Sequence, residues 1–325
     1  MTLLDNQNYS DAFVTKIPKT PRDKYVSIVV LRESKSHAVF TTEGTILDGE
    51  RVRSGVESSG FMDRILMYKR KQVAPERRKG KSLLRDYKIF ENQDYKKLFK
   101  KIDDCYLMEG MCGVCPDCIL YGYAAGGADS QKSRILTDSG FTIRGFEELE
   151  KNIKFNAIED STKGGVAGSS FNAKSHIIPE IYIPTVETLV DVTENEFIYV
   201  LGNILRTTRY GAESNRQGTI KNHIVDIIFS DSEIASNLEL TQRIYDKYQA
   251  SNDESLTLEN TQKYLSESIR DIEGEVFTPV YCLSSQEGAL DTLLTKVRDI
   301  YSDCKQTEEF INSLLGDIAD YVARR

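Results

Sequence analysis

Two segments near the start of the chain are rich in β-branched and aromatic residues. They read KYVSIVVLRES from Lys24 and HAVFTTEGTIL from His37, and this composition beside glycine-containing turns predicts β-strands. The same pattern predicts strands in RILTDSGFTIRGFEE, IKFNAIED, EIYIPTVETLVDV and HIVDIIFS. The glycine-rich loop STKGGVAGSS interrupts one strand pair. We therefore expect β-structure to dominate the first two-thirds of the chain.

Apolar residues at helical spacing predict a short amphipathic helix over residues 94–105. Thr193 with Glu196 has the spacing of a capping box, which would begin a helix that runs to about Arg206. A second capping box is predicted at Ser230, and helical periodicity dominates from there on, apart from the strand-like EVFTPVYCLSS. This mixture favours an α+β fold with a ferredoxin-like or RNA-recognition-motif core over a doubly wound sheet.

Composition is typical of a soluble globular protein. The chain has 325 residues, of which 40% are hydrophobic and 28% charged. No apolar run approaches the roughly 20 residues of a membrane span, and the start MTLLDNQNYSD lacks the pattern of a signal peptide. We expect a cytoplasmic protein with no membrane partner.

The net charge of −8 argues against a nucleic-acid partner, but the charge is unevenly distributed. Residues 64–101 are strongly basic with interleaved tyrosines and phenylalanine, whereas segments of the last ninety or so residues, such as SDSEIASNLEL, are acidic. The basic stretch is either a solvated helix surface or a phosphate-binding surface.

Four of the six cysteines lie in one short segment, as Cys105-x6-Cys112-x2-Cys115-x2-Cys118. Four thiolates are the usual ligands of a closed structural zinc site, with no open position for a catalytic water. An iron-sulfur cluster is the alternative, although the further Cys-Pro of ferredoxins is missing, and free thiols are a third. The spacing favours structural zinc.

Basic residues beside glycines and hydroxyls recur in three further segments. The loops YGYAAGGADSQKSR and STKGGVAGSS offer backbone amides with cations, and TTRYGAESNRQG adds arginines and a tyrosine at a helix end. Arginine binds phosphate bidentately and tyrosine stacks on bases, a combination suited to single-stranded nucleic acid. Each loop alone could equally be a mobile surface loop, and Tyr210 could equally belong to the core.

Motifs of common enzyme classes are missing. His37, His176 and His223 are far apart in sequence, and the chain has neither a phosphate-binding Gly-x4-Gly-Lys-Ser/Thr loop nor a Gly-x-Ser-x-Gly elbow. Histidine-based catalysis is therefore not expected.

Four segments of the chain carry a family resemblance in combination, namely MCGVCPDCILYG, GTILDGERVRSG, KFNAIE and TTRYGAESNRQGTIKN. With them, the chain resembles the crRNA-binding backbone subunit of type I-D CRISPR interference (Cascade) complexes. That subunit is a member of the repeat-associated RNA-binding (RAMP) superfamily. The resemblance covers roughly residues 24–230. It implies several copies arranged head to tail along one crRNA, a filament that presents the guide to target DNA or RNA. The other implied partners are the large subunit, the small subunit and the crRNA 5′-end subunit.

The resemblance also implies a domain organisation. Residues 1–60 and 120–230 would form the RNA-recognition-motif-like palm, with a β-hairpin thumb near residues 153–180. Residues 61–120 would be a basic insertion with the four-cysteine zinc knuckle, and residues 231–325 a helical C-terminal region packed on the core.

Sequence-independent guide binding needs phosphate contacts and stacking rather than readout of base edges. We expect Phe155 and Phe171 in the thumb, near the RNA. The expected RNA-binding residues are Arg51, Arg53, Lys69, Arg70, Lys71, Arg77, Arg78, Lys132, Arg134, Lys163, Lys174, Arg206, Arg209, Tyr210 and Arg216.

Catalysis is the main open alternative. Related backbone subunits of type III complexes cleave target RNA with an acidic loop residue and metal, which makes Asp48 and Asp129 candidates, although each is also a common turn residue. We expect a non-catalytic role. A metal-dependent endonuclease of the same superfamily, acting on target or precursor nucleic acid, and a zinc-ribbon RNA-modification enzyme are the other hypotheses.

Overall fold

The computed structural model describes residues 12–92, 95, 104–107, 110–124, 130–156, 170–213, 217–251, 253 and 255–325. The strands within these ranges are β1 (Tyr25–Ser34), β2 (Gly49–Arg53), β3 (Phe61–Met67), β4 (Tyr123–Ala124), β5 (Ser130–Gln131), β6 (Ile135–Thr137), β7 (Gly140–Phe141), β8 (Glu150–Asn156), β9 (Ser170–Ile177), β10 (Tyr182–Val190), β11 (Arg209–Tyr210), β12 (Gly218–Ser230) and β13 (Tyr281–Cys282). The helices are α1 (Lys69–Asp86), α2 (Pro116–Tyr121), α3 (Phe146–Leu149), α4 (Glu194–Arg206), α5 (Asn237–Ala250), α6 (Leu258–Glu275), α7 (Ala289–Ser302) and α8 (Cys304–Arg324).

The central sheet is antiparallel and has β1 in its middle. Its order is β11-β12-β1-β10-β6, and β13 pairs with the end of β12. A register shift between Val29 and Val30 marks a bulge against β12. Every residue of β1 after Tyr25 is buried, because helices cover both faces of the sheet. This explains why the strand reads as a nearly continuous apolar run rather than an alternating one.

The two faces of β1 contact different helices. Val26, Ile28 and Val30 belong to a cluster that includes apolar residues of α4, α7 and α8. Val29 and Leu31 belong to a second cluster, with apolar residues of α5 and α6. The core is therefore a three-layer arrangement of helix, sheet and helix.

Smaller β-elements surround this core. β2, β3 and β7 form a three-stranded antiparallel sheet, β4 pairs with β5, and β8 pairs with β9 as a hairpin. The mixture of helices with antiparallel sheet predicted from the sequence is confirmed. None of the helices in the described ranges is long and apolar enough to cross a membrane.

Two predictions of local structure were wrong. Residues 37–47 form a loop with one isolated bridge at Ala38, and three of their apolar residues, Ala38, Phe40 and Leu47, belong to a third core cluster. The predicted capping box at Ser230 does not begin a helix, because Ser230 Oγ donates to the Ser232 carbonyl and the helix starts at α5. The predicted helix over residues 94–105 lies mostly outside the described residues.

Candidate functional site

Helix α1 carries the exposed cations of the basic stretch. Its first residues are Lys69, Arg70 and Lys71, its first turn contains no acidic residue, and Tyr68 provides no side-chain cap. The N-terminal end of a helix has a partial positive charge, so three cations placed there interact unfavourably with the helix dipole. The same end binds anions well, because backbone amides and the helix dipole both favour negative charge. The sequence thus places a costly but anion-attracting charge cluster at this helix end.

A buried ionic cluster fixes α1 on the sheet. Arg32 on β1 donates from Nη1 to Glu76 on α1 at 2.9 Å and from Nη2 to Glu187 on β10 at 2.8 Å. Tyr210 Oη donates to the same Glu76 oxygen at 2.8 Å. All four side chains are buried. Separating one partner from such a cluster would leave an uncompensated buried charge. The cluster therefore favours the one orientation of α1 in which all of its charges are paired.

Gly80 allows α1 to approach α4 closely. A Cβ at this position would lie 2.3 Å from Tyr199 Oη and 2.5 Å from Asn203 Nδ2. Any larger residue would therefore push the two helices apart or displace both polar side chains.

The cationic cleft lies between α1 and the loop that follows β11. It encloses about 820 Å³ and is lined by Arg70, Lys71, Val73, Ala74, Pro75, Arg77, Arg78, Leu107, Gly211, Ala212, Glu213 and Gln217. Burial, and then the neighbouring Arg70, lower the pKa of Lys71, and burial lowers the pKa of Arg78. Within the described residues no carboxylate forms an ion pair with Arg70, Lys71 or Arg78. Cations that are partly desolvated without a partner favour an anion in the cleft.

A second cleft lies on the other side of the same helix end, against β6 and β10. It encloses about 530 Å³, shares Arg70 and Val73 with the cationic cleft, and adds Lys69. Asp138 and Glu233 also line it, so its charge is mixed. The cationic cleft is therefore the stronger candidate for a polyanion.

The four clustered cysteines meet at the base of α2. Their sulfur atoms all lie within 4.8 Å of one another, with 3.5 Å between Cys105 and Cys118 and 3.9 Å between Cys112 and Cys118. A tetrahedral site with metal–sulfur bonds of about 2.3 Å has sulfurs about 3.8 Å apart. All four are free thiols, and all but Cys112 are buried. The donor set and its spacing therefore fit a metal ion, which would be held by these four residues.

Local backbone geometry brings the cysteines together. Pro116 begins α2 directly after Cys115, and Gly113 has φ +70°, a conformation that favours glycine. The amides of Cys112 and Cys115 donate to the sulfurs of Cys105 and Cys112, each at 3.3 Å. Hydrogen bonds with the other cysteines, Cys112 first, and with Lys81 lower the pKa of Cys105. Lys81 Nζ lies 2.8 Å from Cys105 Sγ, and an ammonium group at this distance favours the thiolate, the form that binds metal.

The structure brings five of the expected RNA-binding residues together on α1, namely Lys69, Arg70, Lys71, Arg77 and Arg78. Lys174, on β9, forms an ion pair with Glu213 at the edge of the cationic cleft. The hairpin expected as the thumb is present as β8 and β9. Phe155 and Phe171 lie in these strands, but their side chains are outside the described part.

Other expected residues lie apart from the cleft. Arg51, Arg53, Lys132 and Arg209 are exposed. Arg51 Nη1 lies 3.5 Å from Asp63 Oδ2. Arg209 Nη1 donates a hydrogen bond to the Gln217 carbonyl at 3.1 Å. The candidates Lys163, Arg216 and Asp129 lie outside the described residues.

Three expected binding residues have structural roles instead. Tyr210 is fully buried in the cluster around Glu76, so its ring is not available for stacking on a base. Arg134 forms a bidentate ion pair with the buried Glu196. The Arg206 guanidinium stacks over the Tyr301 ring at 4.9 Å. These side chains are occupied within the fold.

Asp48, a catalytic candidate, closes a turn. Its Oδ2 accepts a hydrogen bond from the Thr42 amide at 2.9 Å, and its carbonyl accepts one from the Leu66 amide. This is the ordinary role of aspartate at such a position.

Sequence reasoning missed Arg32, Glu76, Glu187 and Lys81. One signal was available, since Arg32 is a charged residue directly after the apolar run Ile28–Leu31 of β1. A charge there has to be paired when the strand is buried.

Comparisons with known proteins give the family. A family model described as Csc2 Crispr matches residues 12–311. The crystal structure of Thermofilum pendens Csc2 is similar, with a TM-score of 0.67 and 19% sequence identity, over 99% of this chain and 96% of that chain. A chain of a CRISPR RNA-guided surveillance complex in a pre-nicking state has a TM-score of 0.52 and 9% identity, over 79% of this chain and 89% of that one. Comparison with curated proteins gives no significant match.

The family match spans most of the chain, including α1, both clefts and the four clustered cysteines. The two structural matches are too distant in sequence to give more than the fold. On the family match, this protein belongs to the Csc2 CRISPR family.

Proposed function

We propose that the protein is a backbone subunit of a type I-D CRISPR effector ribonucleoprotein. It binds crRNA independently of sequence, in several head-to-tail copies, and presents the guide for pairing with target DNA or RNA in antiviral defence. The large, small and crRNA 5′-end subunits complete the complex. The observation that carries the proposal is the cationic cleft, whose Arg70, Lys71 and Arg78 have no ion-pair partner in the described residues.

The chemistry of the cleft suits a nucleic-acid backbone. Its cations can bind phosphates, which supply most of the affinity in sequence-independent binding. Its apolar wall, formed by Val73, Pro75 and Leu107, offers flat contacts to nucleobases without reading their edges. A subunit that accepts every guide sequence needs both properties.

The β8–β9 hairpin is proposed as the thumb that crosses the bound guide. Its support is Lys174, which reaches the edge of the cationic cleft through Glu213. A phosphate near this edge would compete with Glu213 for the same ammonium group.

Structural zinc is the proposed metal at the four clustered cysteines. Four thiolates without an open position fit a structural rather than a catalytic ion. Metal analysis of the purified protein tests this, since about one zinc per chain is expected and stoichiometric iron would contradict it.

No catalytic step is assigned to the subunit: Asp48 accepts a hydrogen bond from the Thr42 amide in a turn, and Asp129 lies outside the described residues. Metal-dependent cleavage by the assembled complex that is lost on Asp48→Ala would contradict this part of the proposal.

The decisive experiment measures binding of guide-length single-stranded RNA by fluorescence anisotropy. Arg70, Lys71 and Arg78 are replaced together by alanine, and the matched control replaces Lys263, Arg270 and Lys305, which are exposed on the C-terminal helices. The cleft variant is expected to lose at least tenfold in affinity and the control to lose little. Equal affinity of both variants and the unmodified protein would overturn the proposal that the cleft binds RNA.

A further inference from the structure

The four clustered cysteines and the cationic cleft are connected through Asp117. This residue lies in α2 between Cys115 and Cys118, and its side chain is fully buried. Arg77 on α1 binds it with two hydrogen bonds, of 3.1 Å from Nε and 2.7 Å from Nη2. Lys81, one turn further along α1, lies 3.1 Å from the same carboxylate. One face of α1 is thus attached to the metal-binding segment.

Lys81 also contacts a cysteine directly. Its Nζ lies 2.8 Å from Cys105 Sγ, and its side chain is only 4% exposed. A buried ammonium group is costly unless it is paired, and here its partners are one carboxylate and one sulfur. Four thiolates around a divalent ion carry a net charge of about −2, which Lys81 reduces by one. The lysine and the thiolates of a bound metal ion would therefore stabilise each other.

Residues attached to the metal-binding segment form one wall of the cationic cleft. Leu107, two residues after Cys105, lines the cleft, and so does Arg77. Asp117 fixes the direction of the Arg77 guanidinium, which also stacks over the Tyr121 ring at 5.3 Å. Because both wall residues depend on the metal-binding segment, the shape of the wall depends on the order of that segment.

We propose that metal occupancy at the four cysteines controls the affinity of the cationic cleft for RNA, with Lys81 as the positioning residue between the two sites. This inference rests on the proposed RNA binding. Binding at two coupled sites is reciprocal, so RNA also raises the affinity for the metal.

The first test measures zinc affinity by competition with a chromophoric chelator. Lys81→Met is expected to weaken zinc binding by about 10- to 100-fold, the usual effect of losing an outer-shell partner. The absorption spectrum of the cobalt(II)-substituted variant is expected to stay that of four thiolate ligands. Lys79→Met removes a charge from the same helix away from the cysteines and is the control. Unchanged zinc affinity in Lys81→Met would overturn the role of this lysine.

The second test needs no substitution. RNA affinity is measured for zinc-loaded protein, for chelator-stripped protein, and for stripped protein after zinc is restored. The stripped protein is expected to bind RNA at least several-fold more weakly and to recover fully, and Lys81→Met is expected to recover in excess zinc. Circular dichroism checks that the stripped protein keeps its fold.

The outcomes separate the two proposals. Equal RNA affinity with and without metal would overturn the coupling and leave RNA binding intact. An absence of RNA binding in both forms would overturn the proposed function itself. Global unfolding on metal removal would also count against the coupling, which requires a local effect on one wall of a folded protein.

Discussion

At the scale of single residues, Arg32 makes three parts of the chain interdependent. It lies in β1 and binds Glu76 on α1 and Glu187 on β10. Its Nε also donates to Thr185 Oγ1 at 3.0 Å. Two carboxylates thus contact one buried guanidinium, although the two carboxylates repel each other.

Glu187 is expected to make stability depend on pH. Burial, and then repulsion from Glu76, raise the pKa of Glu187 well above its ordinary value of 4.5. A carboxyl whose folded pKa is raised contributes stability at low pH, which is lost as pH rises from about 4.5 through the folded pKa. Replacing Glu187 with glutamine should remove this loss, so the variant should gain stability relative to the unmodified protein as pH rises from about 5 to about 8.

Chemical denaturation at each pH measures this difference, with the exposed Glu287→Gln as the control. If the Glu187→Gln variant and the unmodified protein show parallel pH profiles, Glu187 does not titrate in this range and the expectation is wrong.

At the scale of secondary-structure elements, the contact between α1 and α4 depends on Gly80. Replacing it with alanine should destabilise the protein by about 1 to 3 kcal/mol, the usual cost of overpacking, because the new methyl group meets Tyr199 and Asn203. Gly316→Ala in α8 is a matched control, since nothing lies within 4 Å of a Cβ there. That change should stabilise the helix by up to about 1 kcal/mol. Denaturation midpoints of both variants decide the matter, and an equal shift in both would show that the contact has no special role.

How far the sequence predicted an element depended on whether its signal was local. Helix α4 was predicted from Thr193 and Glu196, and both hydrogen bonds of the capping box are present. This signal needs only four consecutive residues. Residues 37–47 were predicted as a strand from their composition, yet whether they pair depends on β-edges more than a hundred residues away. Nothing within the segment reveals that Ala38, Phe40 and Leu47 are buried in a core cluster while their backbone forms a loop.

The candidate site shows the same division. The four cysteines were predicted as a group because metal ligands recur at short spacing, and their sulfurs do meet. The cations of α1 were predicted as a basic stretch, but their sequence did not show which ones point into a cleft. Tyr210 could not be distinguished from a stacking residue, because its burial depends on residues far away in the sequence, and its hydrogen-bond partner Glu76 is 134 positions away.

At the scale of the whole molecule, the protein has a net charge of −8 and yet presents a cleft in which Arg70, Lys71 and Arg78 form no ion pair with any residue that the structure describes. A polyanion would therefore be attracted to one region and repelled from the acidic remainder. Such an arrangement favours binding in one orientation.

The salt dependence of RNA binding should report the cleft directly. For single-stranded nucleic acid, each neutralised phosphate contributes a slope of about −0.7 to log affinity against log salt concentration. Removing Arg70, Lys71 and Arg78 should reduce that slope by about 2. The measurement is a titration series between low and physiological salt, with two RNAs of equal length and unrelated sequence. Equal slopes for the variant and the unmodified protein would place the phosphate contacts elsewhere, and a strong preference for one RNA would contradict sequence-independent binding.

The position of β1 in the middle of the sheet has a consequence for synthesis. Its side chain at Arg32 bonds to residues 153 and 190 positions later, on β10 and β12. At about 5 to 20 residues per second, the ribosome needs roughly 10 to 40 s to deliver those strands. During that time a ten-residue strand with an apolar centre has neither neighbour and is exposed to aggregation. Co-translational protection of this one segment should therefore determine how much of the newly made chain reaches the folded state.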